Sequence, residues 1–183
     1  MKIKTRIKDL DKVLETIHKE VYLKHKTTLI VKDEGEAATS FDSLANESDI
    51  PNAKNSIYDR IELSTSTKYK LTMALAKMYP ACSIVQSGRW LYPKRGYMGW
   101  HTNSNSVGKR IYLTYCPSDK SFFRYIKDGK KITSQDLVGW TMREFDIDVD
   151  NPLWHCVYAA EPRLSIGFRV IHNLKDPVTG KIE

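Results

Sequence analysis

The feature that most constrains this chain is a change in its sequence pattern at Pro80. Beyond that residue, short segments rich in β-branched and aromatic residues alternate with turn signals, such as Pro93 to Gly96 and Lys127–Lys131. Short strands at intervals of roughly 8–12 residues predict an antiparallel barrel or jelly roll. The predicted strands are Ser83–Tyr92, Arg110–Cys116, Ser121–Ile126, Trp140–Ile147, Leu153–Ala159 and Arg163–Ile171.

The residues before Pro80 read differently and predict helices. Over residues 8–24, apolar side chains recur at helical spacing, and Glu15 can pair with Lys19 one turn later. Ser64 or Ser66 can cap a second helix that ends before Pro80. We also expect a strand at Thr27–Val31 and a long acidic loop over residues 33–60, and the apolar helical positions are Leu10, Val13, Leu14, Ile17, Val21, Leu71, Ala74, Leu75 and Met78.

Together these elements predict an α+β fold in a single domain covering residues 1–183. A helical N-terminal layer over residues 1–80, which includes the acidic loop, packs on one sheet of a β core over residues 81–172. Residues 173–183 form a tail. The three cysteines match no zinc motif.

Composition excludes several classes of protein. The chain is 41% hydrophobic and 28% charged, which is typical of a globular protein. No run approaches the roughly 20 apolar residues of a membrane span, and the charged N-terminus lacks the apolar region of a signal peptide. We therefore expect a cytoplasmic protein that does not enter a membrane. The net charge of +7 suggests an anionic partner without identifying one.

Two of the five histidines lie in chemically suggestive surroundings. His101 precedes Asn103 by two residues in Gly-Trp-His-Thr-Asn, so both side chains project to one face if the segment is extended. His155 lies in a predicted strand some fifty residues later. Two imidazoles from distant strands of one barrel form the kernel of the facial triad that holds non-haem Fe(II). The alternative for each is a hydrogen-bonded core histidine.

The last predicted strand has two contrasting faces. Alternation places Leu164, Ile166, Phe168 and Val170 on an apolar face. The opposite face carries Arg163, Ser165, Gly167 and Arg169. An arginine and a hydroxyl two residues apart suit a carboxylate, because the guanidinium binds it bidentately and the hydroxyl adds a donor. The alternative is an ordinary surface arginine paired with Glu161.

The order His101-x-Asn103, His155, Arg163-x-Ser165 resembles the Fe(II)- and 2-oxoglutarate-dependent dioxygenases. Their motif is H-x-D/E, a distal His and R-x-S on a double-stranded β-helix, a jelly-roll or cupin-like fold. The stretch Tyr92 to His101 is similar to the lead-in of the prolyl-hydroxylase-like branch, and so is Asp136 to Phe145. The resemblance covers roughly residues 83–171.

The resemblance implies a role for each matching residue. His101, Asn103 and His155 would bind Fe(II). Arg163 and Ser165 would bind the distal carboxylate of 2-oxoglutarate, with Tyr92 adding a hydrogen bond; the alternative for Tyr92 is a half-buried aromatic at a strand end. O2 and 2-oxoglutarate would be co-substrates, and a substrate would be hydroxylated with release of succinate and CO2.

Asn103 departs from the family, which has Asp or Glu at that position. Three alternatives remain open. The amide oxygen ligates weakly or yields to water or a nearby acid, the position admits an exogenous anion as in halogenating relatives, or the protein is catalytically impaired. Asn is larger than the Gly or Ala of the halogenating relatives, which counts against halogenation.

Two further alternatives concern partners. Basic and aromatic residues interleave at Lys94–Tyr97, Lys109–Tyr112 and Phe122–Tyr125, which would also suit a non-enzymatic module that binds nucleic acid. We favour the enzyme. Its primary substrate is left open between a protein side chain, an amino acid and a nucleotide, with the lead-in favouring a protein or peptide.

Overall fold

The computed structural model describes residues 1–4, 10–26, 34–40, 43 and 56–172. Both predicted helices are present, and the first continues through a π-helical turn. The Ser64 hydroxyl accepts a hydrogen bond from the backbone N–H of Thr67 and caps the last helix, which ends two residues before Pro80. The helical segments are α1 (Asp11–Ile17), the π-helical turn (His18–Tyr22), α2 (Leu23–His25), α3 (Glu34–Ala38) and α4 (Thr65–Met78).

The strands of the described residues form two antiparallel sheets. They are β1 (Lys2–Lys4), β2 (Ser56–Ile57), β3 (Asp59–Arg60), β4 (Cys82–Tyr92), β5 (Tyr97–His101), β6 (Gly108–Cys116), β7 (Phe122–Lys127), β8 (Lys130–Gln135), β9 (Gly139–Ile147), β10 (His155–Tyr158) and β11 (Arg163–His172). One sheet has the order β1-β9-β6-β11-β4-β3 and the other β2-β5-β10-β7-β8. From β4 onward the chain passes back and forth between the sheets, with β7 and β8 forming a hairpin. This is the topology of a double-stranded β-helix.

The main core lies between the N-terminal helices and the six-stranded sheet. On β11, the four predicted apolar residues all belong to this core. Burying one such side chain contributes about 1.5–3 kcal/mol, so these contacts hold the helical layer on the sheet. The helices contribute Leu10, Val13, Leu14, Ile17, Val21, Tyr22, Leu71 and Leu75, and the sheet contributes Leu91, Ile111, Leu113, Met142, Leu164, Ile166, Phe168 and Val170.

The predicted fold class is confirmed, while some elements differ from expectation. The six predicted strands are present with ends shifted by at most two residues, and the Lys127–Lys131 turn is a hairpin through Asp128 and Gly129, both with positive φ. The sequence analysis does not predict strands β1, β5 and β8. The expected loop over residues 33–60 contains α3, β2 and β3 within its described part.

Two predicted segments lie outside the described residues, namely the strand expected at Thr27–Val31 and the tail at residues 173–183. Among the helices that the structure describes, none has the length and apolar character needed to cross a bilayer.

Candidate functional site

A cavity of about 360 Å³ contains most of the predicted site residues. Strands β4, β6 and β11 of the six-stranded sheet and β5 and β10 of the other sheet contribute to its lining. Five of the six predicted residues line it: Tyr92, His101, Asn103, His155 and Ser165. Arg163 does not. The jelly roll therefore brings together residues that lie up to 73 positions apart in the chain.

His101 and His155 face each other across two neighbouring strands. His101 ends β5, His155 begins β10, and the two residues are direct partners in the antiparallel pair. Their ring centroids are 4.1 Å apart, and both side chains are buried. The position of one imidazole is thus fixed by the same strand pairing that fixes the other.

The backbone determines which ring nitrogen of each histidine is available. The Nδ1 of His101 lies 2.8 Å from the carbonyl oxygen of Gly99, and the Nδ1 of His155 lies 2.7 Å from that of Leu153. A carbonyl only accepts, so each Nδ1 carries the proton and donates it. Each Nε2 is left with its lone pair, as in histidines that bind metals.

Burial keeps both imidazoles neutral. It lowers the pKa of His101 to about 4, although the hydrogen bond to Gly99 opposes the shift. Burial also lowers the pKa of His155 well below its ordinary value, with a further contribution from His101. The ring of Phe123 stacks on His155 at 5.2 Å and keeps this side of the site apolar. Both rings therefore remain competent as ligands at neutral pH.

Asn103 approaches the histidines by a different route from the predicted one. The expectation of an extended segment through residue 103 is wrong, because β5 ends at His101 and Asn103 has a φ of +58°. This left-handed conformation is one that asparagine tolerates better than most residues. The amide Nδ2 lies 3.3 Å from Nε2 of His155. Rotation of the amide about Cβ–Cγ exchanges its nitrogen and oxygen, so either atom can face the imidazoles.

Tyr92 and Ser165 supply hydroxyl groups to the cavity. Both side chains are buried, Tyr92 at the end of β4 and Ser165 near the start of β11. Burial raises the pKa of Tyr92, with the positive charge of Arg163 opposing the shift, so its hydroxyl stays protonated. It is therefore able to donate a hydrogen bond.

Arg163 lies behind the cavity wall, where its guanidinium carbon is 5.4 Å from the centre of the Tyr92 ring. It is buried and is not the surface residue paired with Glu161 that was considered as an alternative. Its Nε donates to Asp136 Oδ2 at 2.8 Å, and Arg143 Nη1 contacts Asp136 Oδ1 at 2.5 Å. The Nη1 atom of Arg163 has no hydrogen-bond partner among the described residues. One carboxylate thus serves two buried guanidinium groups.

Sequence reasoning missed several residues of the cavity, namely Arg110, Tyr112, Trp90 and Tyr58. The sequence carried only part of the signal for two of them, and the strand pairing supplies the rest. Arg110 and Tyr112 alternate along a predicted strand, and they pair with Arg169 and Gly167 of β11. Because directly paired residues share a face, the ligand-facing side of β11 identifies the ligand-facing side of β6.

No protein-family model matches this chain, and no curated protein matches it. Among solved structures, a Pseudomonas putida prolyl-4-hydroxylase aligns with a TM-score of 0.51 at 11% identity, covering 93% of this chain and 91% of that one. A Trichoplax adhaerens prolyl hydroxylase, in complex with a hypoxia inducible factor oxygen degradation domain peptide fragment, gives 0.47 at 11% identity, covering 92% and 94%.

A third similar structure is an oxidoreductase of the 2OG-Fe(II) oxygenase family from Burkholderia pseudomallei. It gives a TM-score of 0.44 at 12% identity, and the alignment covers 64% of this chain and 66% of that one, just under two thirds of its length. At these identities the likeness concerns the fold. The jelly-roll fold is shared with the Pseudomonas putida enzyme.

Proposed function

We propose that this chain is an Fe(II)- and 2-oxoglutarate-dependent oxygenase that hydroxylates a protein side chain or a small molecule. His101, His155 and Asn103 would hold the metal. Ser165 and Tyr92 would bind the distal carboxylate of 2-oxoglutarate, and Arg163, which lies behind the cavity wall, would add positive charge beside Tyr92. One observation carries the proposal. Two buried imidazoles on paired strands each donate Nδ1–H to a backbone carbonyl, which leaves both Nε2 atoms as ligands beside one cavity.

The donor set fits a first-row transition metal. Two imidazole nitrogens and an amide oxygen suit Fe(II), Co(II) or Zn(II) better than Mg(II) or Ca(II), which prefer oxygen ligands alone. In the part of the chain that the structure describes, no three His, Cys, Asp or Glu side chains are grouped so that they could hold a metal ion. No described carboxylate therefore joins His101 and His155 in place of Asn103. Asn103 is therefore the third protein ligand in this proposal.

With the metal and 2-oxoglutarate bound, such a site uses O2 to oxidise a substrate C–H bond while 2-oxoglutarate becomes succinate and CO2. The residues of the chain have separate tasks around that chemistry. The two histidines stay neutral and keep their lone pairs, because burial disfavours their protonation. The hydroxyls of Ser165 and Tyr92 donate to a carboxylate. Phe123 and Phe145 exclude water behind His155.

Metal binding is tested first, on ligand-dependent stability. Saturating Mn(II) or Co(II) without O2 should raise the unfolding temperature of the wild type by about 5–10 °C at a hundredfold excess over the dissociation constant. His155→Ala should abolish the rise. His172→Ala is the matched control, because that histidine is exposed at the end of β11 and should leave the rise unchanged.

Activity is tested by succinate release. The wild type with Fe(II), O2 and 2-oxoglutarate should produce succinate, and His155→Ala should not. Candidate peptides and amino acids are then screened for stimulation of that release. A wild type that neither releases succinate nor gains stability from a divalent metal would contradict the proposal.

The nucleic-acid alternative loses its main support. Its stacking surface required exposed aromatic residues, but Phe122 and Phe123 are buried, Tyr97 is buried, and Tyr112 lines the cavity. Lys94 forms an ion pair with Glu161 at 3.4 Å. These buried side chains cannot stack on bases.

A further inference from the structure

The cavity holds one formally charged side chain, and it does not belong to the predicted motif. Arg110 of β6 lines the cavity and is 3% exposed. No Asp or Glu is among the residues that line this cavity. A buried guanidinium without a carboxylate nearby is costly in a folded protein, so its presence calls for a negatively charged ligand.

The contacts of Arg110 leave one donor uncommitted. Its Nη2 donates to the backbone carbonyl of Ser106. Its Nη1 is buried and has no hydrogen-bond partner among the described residues. The residue paired directly with Arg110 on β11 is Arg169, which adds a second positive charge instead of neutralising the first.

Arg163 provides the comparison within the same protein. Its guanidinium already contacts the Asp136 carboxylate, which is shared with Arg143. Arg110 forms no ion pair with any described residue. Of the three buried arginines among the described residues, Arg110 is the one that lacks a carboxylate partner and is itself part of the wall.

Arg110 lies at the histidine end of the cavity. Its direct partner on β9 is Phe145, and the Phe145 ring is 5.7 Å from the ring of His155. A ligand group held by Arg110 would therefore lie beside the two imidazoles.

We propose that Arg110 binds a carboxylate of the cavity ligand next to His101 and His155, through the free donor Nη1. The inference rests on the proposed function, in which the ligand is 2-oxoglutarate. A dicarboxylate needs two sets of donors. Arg110 serves the carboxylate of the 2-oxo acid end, and Ser165 and Tyr92 serve the distal one, with Arg163 behind Tyr92.

The test measures binding by calorimetry on protein loaded with Mn(II) without O2, using 2-oxoglutarate and pyruvate. Pyruvate keeps the 2-oxo acid end and lacks the distal carboxylate. Arg110→Gln should raise the dissociation constants of both at least tenfold, because a charge-assisted hydrogen bond is lost. The matched control is Arg169→Gln, which removes the same charge from the paired position and should change both by less than threefold.

A second variant covers the case in which Arg110→Gln does not fold. Arg110→Met fills similar space without a charge, so the ligand-free protein should unfold at a temperature equal to or higher than the wild type. The stabilisation by 2-oxoglutarate should nevertheless disappear. An unchanged ligand-dependent stabilisation in this variant would overturn the inference.

The remaining outcomes separate this inference from the proposed function. If the dissociation constants of Arg110→Gln for both ligands stay within twofold of the wild type, the inference is wrong while metal binding stands. The same holds if Arg169→Gln weakens binding as much as Arg110→Gln does. The titrations are repeated in EDTA, where the guanidinium acts without metal. If 2-oxoglutarate still binds there and Arg110→Gln loses it, while no metal binds the wild type, the inference holds and the proposed function fails.

Discussion

Asp136 and Arg163 form a buried ion pair, with Oδ2 of the aspartate 2.8 Å from Nε of the arginine. Asp136 also holds Arg143, and it accepts a hydrogen bond from the Cys116 thiol at 3.3 Å. Burial by itself would raise the pKa of Asp136, but the two guanidinium groups outweigh it and lower the pKa. The carboxylate thus stays charged where it separates two positive charges.

Asp136→Asn should be among the most destabilising single changes in the chain. It leaves two buried guanidinium groups facing a neutral amide, and loss of one partner from a buried charge pair typically costs about 3–5 kcal/mol. Urea unfolding at pH 7 measures the loss. Cys116→Ser keeps a donor to the carboxylate and should cost about 1 kcal/mol. Equal losses in the two variants would show that the charges are not what matters.

Asn103→Asp should tighten metal binding at least tenfold, because a carboxylate adds a negative charge and a better oxygen donor for a divalent cation. The backbone permits the change, since aspartate also tolerates the φ of +58° at this position. Calorimetric titration with Mn(II) or Co(II) without O2 measures the affinity.

Asn103→Gly is the matched control for that substitution. Glycine keeps the left-handed backbone and removes the amide, so its metal affinity should fall below that of the wild type. If the Asp and Gly variants both bind metal as the wild type does, residue 103 is not a ligand.

The face of β11 that lines the cavity could be predicted from the sequence by strand alternation. On β11 it separates core residues from cavity residues, and Ser165 and Gly167 line the cavity as expected. The same rule failed at Asn103, because it assumes an extended chain and β5 stops at His101. Periodicity does not reveal where a strand ends, so the prediction of a shared face with His101 was wrong in its geometry.

The arginines show a second limit of sequence reasoning. Arg163 and Asp136 are 27 residues apart, with Asp136 in the connection between β8 and β9, and they meet in the folded sheet, where β9 and β11 flank β6. A guanidinium predicted from its motif therefore gives no sign of a distant carboxylate partner. Arg110 is hidden for the opposite reason: in the sequence it belongs to a pattern typical of exposed basic residues, and only the pairing with β11 shows that it faces the cavity.

Stability of the metal-free protein should fall as the pH is lowered from about 6.5 towards 4. The pKa of His101 is about 4 in the folded protein, against about 6.5 in the unfolded chain. Between these values the unfolded chain binds a proton that the folded protein does not, so acid favours unfolding. The slope is up to about 1.4 kcal/mol per pH unit for each such histidine.

Urea unfolding in EDTA at pH 7, 6, 5 and 4.5 measures this dependence. Carboxyl groups also contribute at the acid end, so the difference between the wild type and His101→Gln is the informative quantity. The variant lacks one of the two buried imidazoles and should show a shallower decline. Parallel curves for the two proteins would contradict the neutral, buried state of His101.

Gly167 should limit the size of the cavity at the centre of β11. A Cβ at this position would lie 3.1 Å from Cε1 of Tyr112 and 3.2 Å from Oγ of Ser87, so even alanine requires its neighbours to shift slightly. Gly167→Val adds branched methyl groups directly into a cavity of about 360 Å³. We expect valine to weaken 2-oxoglutarate binding at least tenfold, alanine to have a smaller effect, and metal affinity to stay within twofold in both.

Overpacking should also cost about 1–3 kcal/mol of stability, which urea unfolding measures separately. If Gly167→Val loses that stability but binds 2-oxoglutarate as the wild type does, the ligand does not occupy the space in front of β11.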